Sequence, residues 1–344
     1  MASVARKIIA EKISTNFREC TRIVQQSFPA SPQPGQTYVR NVWAGINASD
    51  INFTNGMYVP GIQPPFDVGF EALGRVVALG EGVSNVKIGD AVAYMGYGAF
   101  AEQREVDARA LVPVPKLVPQ VLTLPVSGLT ASIALEKAGE IREGETVLVT
   151  AAAGATGSFA VQLAKLAGCH VIGTCSSDEK AEVLKSLGCD RPVNYKKEKL
   201  FDVLRKEYPK GVDVVYEGVG GEMFDIALNN LAVRGRLIVI GFISGYEDST
   251  GWTGGGKAQK PIAPKLLGKS ASVRGFFLNN YSKEWKPHMA KLVGLMGEGK
   301  IQGMVDPTPF KGLEGINDAI DHMYAGKNVG KVVVKIQEDQ TSKL

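Results

Sequence analysis

Val147-Leu148-Val149-Thr150-Ala151-Ala152-Ala153-Gly154-Ala155-Thr156-Gly157 decides how the chain is read, because a short β-branched run empties into a turn of small residues and then into a helix. A dinucleotide pyrophosphate rests at such a junction. Small residues let the backbone approach the phosphates, and the helix that follows, predicted from Thr156 to about Leu166, presents unpaired N–H groups and the positive end of its dipole. Gly154 and Gly157 match two glycines of the G-x-G-x-x-G pattern, while Ala151 or Ala152 stands at the first. Turns of this kind also occur without a ligand, so the flanking sequence has to decide.

One βαβ unit further on, His170-Val171-Ile172-Gly173-Thr174 reads as a second strand, and its end is where an NAD enzyme places an acid for the ribose hydroxyls. Gly173 and Thr174 stand there instead. The next residues, Ser176-Ser177-Asp178-Glu179-Lys180, read as a capping box of Ser176 with Glu179. A lysine in a first helical turn opposes the dipole, which makes sense if Lys180 and a capping serine hold an extra anion, the 2′-phosphate of NADP. The alternative keeps Lys180 in solvent and lets Asp178 or Glu179 hold the ribose of NAD.

The organisation changes near residue 124. Before it come short strands between Pro and Gly clusters: Lys7 to Ile13, Tyr38 to Gly45, Gly74 to Leu79, Ala91 to Met95 and Phe100 to Val106. After it, strands at 147–151, 170–174, 192–195, 212–216, 236–241 and 272–277 alternate with helices, which predicts an α/β doubly wound sheet of six parallel strands. Lys331 to Ile336 looks like a strand that returns to the first domain. Composition agrees with two cores in 344 residues of 44% hydrophobic content. The net charge of +4 forms no basic stripe for nucleic acid, and no eighteen-residue apolar run spans a membrane. The amino terminus mixes Arg6, Lys7 and Lys12 with Glu11 and Glu19 and alternates like a strand, so it reads as structure rather than a transit peptide. Cys20, Cys169, Cys175 and Cys189 have no C-x-x-C spacing and the three histidines lie far apart, which argues against a disulfide framework or a zinc cluster.

Gly45-Ile46-Asn47-Ala48-Ser49-Asp50, Gly69-Phe70-Glu71-Ala72-Leu73-Gly74, Ala151 to Gly157, Cys175 to Lys180 and Gly326-Lys327-Asn328-Val329-Gly330-Lys331 together carry a family resemblance over nearly the whole chain. The chain resembles the zinc-independent medium-chain dehydrogenases/reductases, in the quinone-oxidoreductase and prostaglandin-reductase branch. The resemblance implies a mostly β GroES-like catalytic domain from residues 1–124 and 307–344, beside an NADP-binding Rossmann domain at 125–306. It implies no metal, since Asn47 and Phe70 stand where the zinc enzymes have a cysteine and a histidine ligand. Without zinc, a substrate carbonyl must be polarised by hydrogen-bond donors, which suits reduction of a double bond conjugated to a ketone.

Tyr58 matches a tyrosine of the quinone reductases and is the candidate donor, unless it only covers the core, and Asn47 is a candidate on the nicotinamide side. Further cofactor contacts carried over are Tyr195 near the 2′-phosphate ribose, Thr156 in the pyrophosphate turn, Phe276, Phe277 and Leu278 along the nicotinamide, and Asn328 as a late amide. Gly218, Ile240 and Tyr246 lie at or after strand ends, where ligands collect in open sheets, and Gly218 stands in place of an expected serine. The expected activity is NADPH-dependent reduction of lipid enones such as 15-oxo-prostaglandins, with a quinone or alkenal reductase and a non-catalytic NADP-binding protein as alternatives. A homodimer formed by edge pairing of dinucleotide domains is also implied. The glycine- and lysine-rich stretch 245–269 reads as a surface loop, or as a lid whose Lys257 and Lys260 attract a carboxylate.

The sequence closes with Ser342-Lys343-Leu344, which at a free carboxyl end is an address read by the peroxisomal import receptor. A fluorescent protein fused at the amino terminus is expected to form puncta that coincide with a peroxisomal marker. Deleting Leu344 is expected to disperse them; puncta that persist after the deletion would show that another segment carries the address.

Overall fold

The computed structural model describes residues 3–248, 252 and 261–339; Lys257, Lys260 and Ser342-Lys343-Leu344 lie outside the described residues. The chain divides into two compact units, Met1–Val126 with Val305–Leu344, and Ser127–Met304.

In the first unit β1 (Ser3–Ala10) is followed by a single turn, α1 (Phe17–Cys20), and by β2 (Thr21–Phe28). The strands β1 and β2 pair antiparallel over their full lengths, Ser3 against Phe28 through Ala10 against Thr21. Then come β3 (Gln36–Gly45), α2 (Ser49–Thr54), β4 (Phe66–Asp67), β5 (Glu71–Leu79), β6 (Ala91–Met95), β7 (Gln103–Asp107) and β8 (Val112–Pro113). The long antiparallel β3–β5 pairing requires close backbone approach, since a Cβ on Gly74 would lie 2.3 Å from the Arg40 carbonyl oxygen. Val39, Ala72, Val76, Val92 and Tyr94 form the core against this sheet.

The second unit begins with α3 (Leu129–Ile133) and alternates β9 (Thr146–Val149), α4 (Ala155–Leu166), β10 (His170–Cys175), α5 (Asp178–Ser186), β11 (Arg191–Asn194), α6 (Leu200–Glu207), β12 (Val212–Glu217), α7 (Gly221–Asn229) and β13 (Leu231–Val239). α8 (Ala263–Lys269), β14 (Ser272–Gly275) and α9 (Trp285–Gly297) complete it. Among the described residues the sheet has six strands in the order β11-β10-β9-β12-β13-β14, and every pairing is parallel. Strands of such a sheet are covered on both faces, which is why Val147, Leu148 and Val149 run apolar without alternation and are fully buried. The chain then returns to the first unit with α10 (Gly315–Tyr324) and β15 (Val333–Lys335), which pairs antiparallel with β3.

Two departures from the sequence reading have local causes. β2 is missed by pattern because Thr21-Arg22-Ile23-Val24-Gln25-Gln26 is largely polar, and it forms on the template of β1. β13 starts at Leu231 rather than 236, with a bulge at Arg234-Gly235, where Arg234 takes a left-handed φ of 62° and the pairing with β12 shifts register. That bulge reads as a turn in sequence.

Candidate functional sites

Strand order in the second unit reverses between β9 and β12, so the connections after these two strands leave in opposite directions and open a crevice at their carboxyl ends. The turn after β9 enters it. Ala151 adopts a left-handed φ of 45°, at a cost of about 1–2 kcal/mol for a residue with a Cβ. It is held there by bonds from its own N–H to Thr174 Oγ1 (3.1 Å) and from Ala152 N–H to the Thr174 carbonyl (2.9 Å). Gly154 caps α4, and Gly157 permits the close approach of helix and turn, since a Cβ there would lie 2.5 Å from the Ala151 oxygen. A Cβ on Gly154 would likewise stand 3.2 Å from the Ala151 oxygen, so both glycines keep the turn packed tightly against the start of α4. Gly154 supplies no side-chain cap, so the first-turn N–H groups of α4 have no partner within the helix, as an anion at a helix start requires. The Thr156 hydroxyl is turned to the protein, donating to Ser127 O (3.2 Å) and bonded to Tyr216 Oη (2.6 Å), so Thr156 offers a phosphate its backbone N–H.

The opposite lip contains two residues that the sequence reading did not single out. Glu217, fully buried at the end of β12, accepts from Val219 N–H (2.8 Å) and from Gly220 N–H (3.0 and 3.1 Å), while Thr150 Oγ1 accepts from Gly218 N–H (2.9 Å). Burial pushes the Glu217 carboxyl up, opposed by those bonds. The left-handed glycines Gly220 and Gly221 after it were the visible signal. A Cβ on Gly218 would meet nothing within 4 Å, so the missing serine side chain leaves open space. Ile240 donates its N–H to the Glu217 carbonyl (2.7 Å), and the buried Tyr246 hydroxyl accepts from Phe242 N–H (3.1 Å). Beyond β14, Phe276 is buried and stacks on Tyr281 with ring centres 4.8 Å apart, Phe277 is exposed, and Leu278 is half-buried.

At the end of β10 the structure corrects the capping box by one residue. β10 runs on to Cys175, which pairs with Asn194 of β11, so Ser176 becomes the link and Ser177 the cap, its hydroxyl accepting from Lys180 N–H at 3.3 Å. Lys180 is half-buried in the first turn of α5, and Tyr195 follows β11 with 46% exposure. Gly154, Gly157, Lys180, Tyr195, Gly218, Ile240 and Phe276 thus lie at or just beyond one edge of one sheet, while Asn47, Tyr58 and Asn328 belong to the first unit.

In that first unit Asn47, Glu71 and Lys331 form a buried cluster. Lys331 Nζ donates to Asn47 Oδ1 (2.7 Å) and pairs with Glu71 Oε1, and both charged side chains are within 1% of complete burial. Asn47 Nδ2 donates to Glu71 Oε1 (3.1 Å) and approaches Gly45 O (3.4 Å), so the Asn47 amide is turned inward. Val126 N–H reaches the second Glu71 oxygen at 3.0 Å. Gly45 is obligatory here, because a Cβ would lie 2.6 Å from Glu71 Oε1. Asp50 Oδ2 accepts from Asn47 N–H (2.8 Å), while its buried Oδ1 has no hydrogen-bond partner. Burial pushes the Asp50 carboxyl up to about 8. Phe70, where a histidine ligand would stand, packs on Phe53 and Tyr97 with ring centres 5.6 and 5.5 Å away. Carboxamide and phenyl are no zinc ligands, and Glu71 is spent on Lys331. Tyr58 is half-buried with its N–H on Asn52 O (3.1 Å), and Asn328 Nδ2 donates to Gly330 O (2.9 Å).

Residues 155–294 match the family model described as zinc-binding dehydrogenase, and residues 33–116 match the alcohol dehydrogenase GroES-like domain. The chain is 51% identical over 347 residues to prostaglandin reductase-3 of Mus musculus, covering 98% of this chain and 91% of the relative. It is 47% identical to a probable quinone oxidoreductase of Leishmania amazonensis, covering 96% and 98%. The structure of Escherichia coli quinone oxidoreductase complexed with NADPH superposes with a TM-score of 0.83 at 28% identity, covering 96% of this chain and all of the other.

Two predictions follow from the buried cluster. Lys331→Met leaves Glu71 buried without its counter-charge and is expected to lower stability by about 3–5 kcal/mol, read from the urea midpoint. For Asp50, the folded chain retains up to pH of about 8 a proton that the unfolded chain releases near 3.9. Between those values the folded state binds more protons, so stability falls as pH rises, by at most about 1.4 kcal/mol per unit. Asp50→Asn is expected to remove this slope between pH 5 and about 8; an unchanged slope would assign it to other groups.

Proposed function

Because the chain belongs to the zinc-type alcohol dehydrogenase family of medium-chain dehydrogenases/reductases, in its quinone-oxidoreductase-like branch, and is an oxidoreductase, we propose that it reduces the conjugated carbon–carbon double bond of lipid enones with NADPH. The observation that carries this reading is the 51% identity, over nearly the whole chain, with a prostaglandin reductase-3. A 15-oxo-prostaglandin is the model substrate.

The residues at the sheet edge fit the cofactor. Gly154 and Gly157 would admit a pyrophosphate against the start of α4, and Lys180 with Ser176, in the link before the cap, and Tyr195 would hold the 2′-phosphate end. Bound there, NADPH supplies hydride. The substrate β-carbon gains it, and negative charge develops on the carbonyl oxygen as an enolate. A donor placed at that oxygen lowers the barrier most, since it acts where charge builds. Tyr58 is the side chain we assign to this task, and the α-carbon takes its proton from a side chain or water. Asn47 acts as a positioning residue: its side-chain amide is pinned by Lys331 and Glu71, and its backbone N–H is held by Asp50 Oδ2.

NADPH consumption with a 15-oxo-prostaglandin, a short enone and a quinone tests the reading. The enones are expected to gain two hydrogens with the ketone retained, read by mass spectrometry. Tyr58→Phe is expected to lower kcat by about tenfold or more while leaving NADPH binding unchanged. Turnover of the quinone with both enones untouched would replace the proposal by a quinone reductase, which the identity with the Leishmania relative favours as the second reading.

A further inference from the structure

We propose that Asn194 and Lys197 clamp Asp178 and thereby make the end of β10 select a dinucleotide carrying a 2′-phosphate over one without it, an inference that rests on the dinucleotide reading above. In NAD sites a carboxylate close to this strand end accepts bonds from the ribose hydroxyls. Asp178, the first residue of α5, is the first carboxylate after this strand end. Both of its oxygens are taken. Oδ1 accepts from Asn194 Nδ2 at 2.8 Å, and Oδ2 accepts from Lys197 Nζ.

The clamp is set by the sheet. Asn194 ends β11 in register with Cys175, is 8% exposed, and accepts from Lys196 N–H through its own Oδ1 at 3.2 Å, which fixes the orientation of the amide. The turn that follows brings Lys197 back to the same carboxylate, its N–H on the Asn194 carbonyl at 2.9 Å. The other first-turn acid, Glu179, is engaged by its own N–H and by Ser177. The consequences for a ligand are two. A carboxylate neutralised by an ammonium no longer repels a phosphate, and a carboxylate whose oxygens already accept bonds offers less to a ribose hydroxyl. Discrimination then comes both from attraction of the phosphate towards Lys180 and from removal of the acceptor that an unphosphorylated ribose needs.

Titration calorimetry at fixed ionic strength with ADP-ribose and 2′-phospho-ADP-ribose, neither of which can turn over, tests the clamp. The wild-type chain is expected to bind the phosphorylated ligand more tightly. Lys197→Met is expected to shift the ratio of the two dissociation constants about tenfold towards ADP-ribose, because Asp178 keeps its charge but loses the ammonium that compensates it and gains a free oxygen. Adding Asp178→Asn to Lys197→Met is expected to restore the wild-type preference. A double variant no better than Lys197→Met would show that Lys197 acts by its own attraction on the phosphate, and an unchanged ratio in Lys197→Met would show that the clamp is idle; either overturns the proposal. If the wild-type chain binds neither ligand, the dinucleotide reading fails first and the clamp falls with it. Ligand-free thermal unfolding of each variant confirms that the exposed substitutions leave the fold intact.

Discussion

The reversal of strand order between β9 and β12 is the constraint from which the second unit follows. The strands stay paired to their carboxyl ends, but the connections that follow them leave in opposite directions and open a crevice there. Something has to hold each lip. At one, Thr174 reaches from β10 to fix Ala151 in a left-handed conformation; at the other, the buried Glu217 carboxylate gathers the N–H groups of Val219 and Gly220. Thr150 ties the two together by accepting from Gly218, so a single hydroxyl spans the switch point.

The first unit is organised around a different necessity, that of keeping two charges away from water. Lys331 and Glu71 are stable there because each has further partners: Asn47 shares its amide between them and Val126 meets the second carboxylate oxygen. A buried pair of this kind adds little stability over an apolar equivalent, and its chief effect is to penalise any arrangement that separates it. The glycine at position 45 is the steric counterpart, since no side chain can stand between the cluster and the end of β3.

The period and spacing of apolar residues made the six parallel strands readable from sequence, because a strand buried on both faces writes its environment into consecutive Val, Leu and Ile. Gly157 was legible from the glycine pattern of the turn, because helix and turn cannot approach without it. What was hidden depends on partners far along the chain. Lys331 opens a short β-branched run that reads only as a returning strand, yet it bonds Asn47 across 284 positions. Glu217 follows the apolar Val214-Val215-Tyr216 and reads as a charged strand end, although its acceptors are consumed within three residues by a glycine turn. The cap at Ser177 was displaced by one because Ser176 and Ser177 are locally equivalent and only the ladder to Asn194 distinguishes them.

The return of the chain to its first unit bears on how it is made. The second unit is contiguous and has all its strands once residue 304 has left the ribosome, whereas the first waits for β15 to add beside β3. Until Lys331 arrives, Glu71 has no counter-charge and cannot be buried at low cost, so the nascent first unit has to remain open or hydrated at that point. Completion of the cluster is therefore a late event in biosynthesis, and it closes the first unit only after the second already has every strand of its sheet.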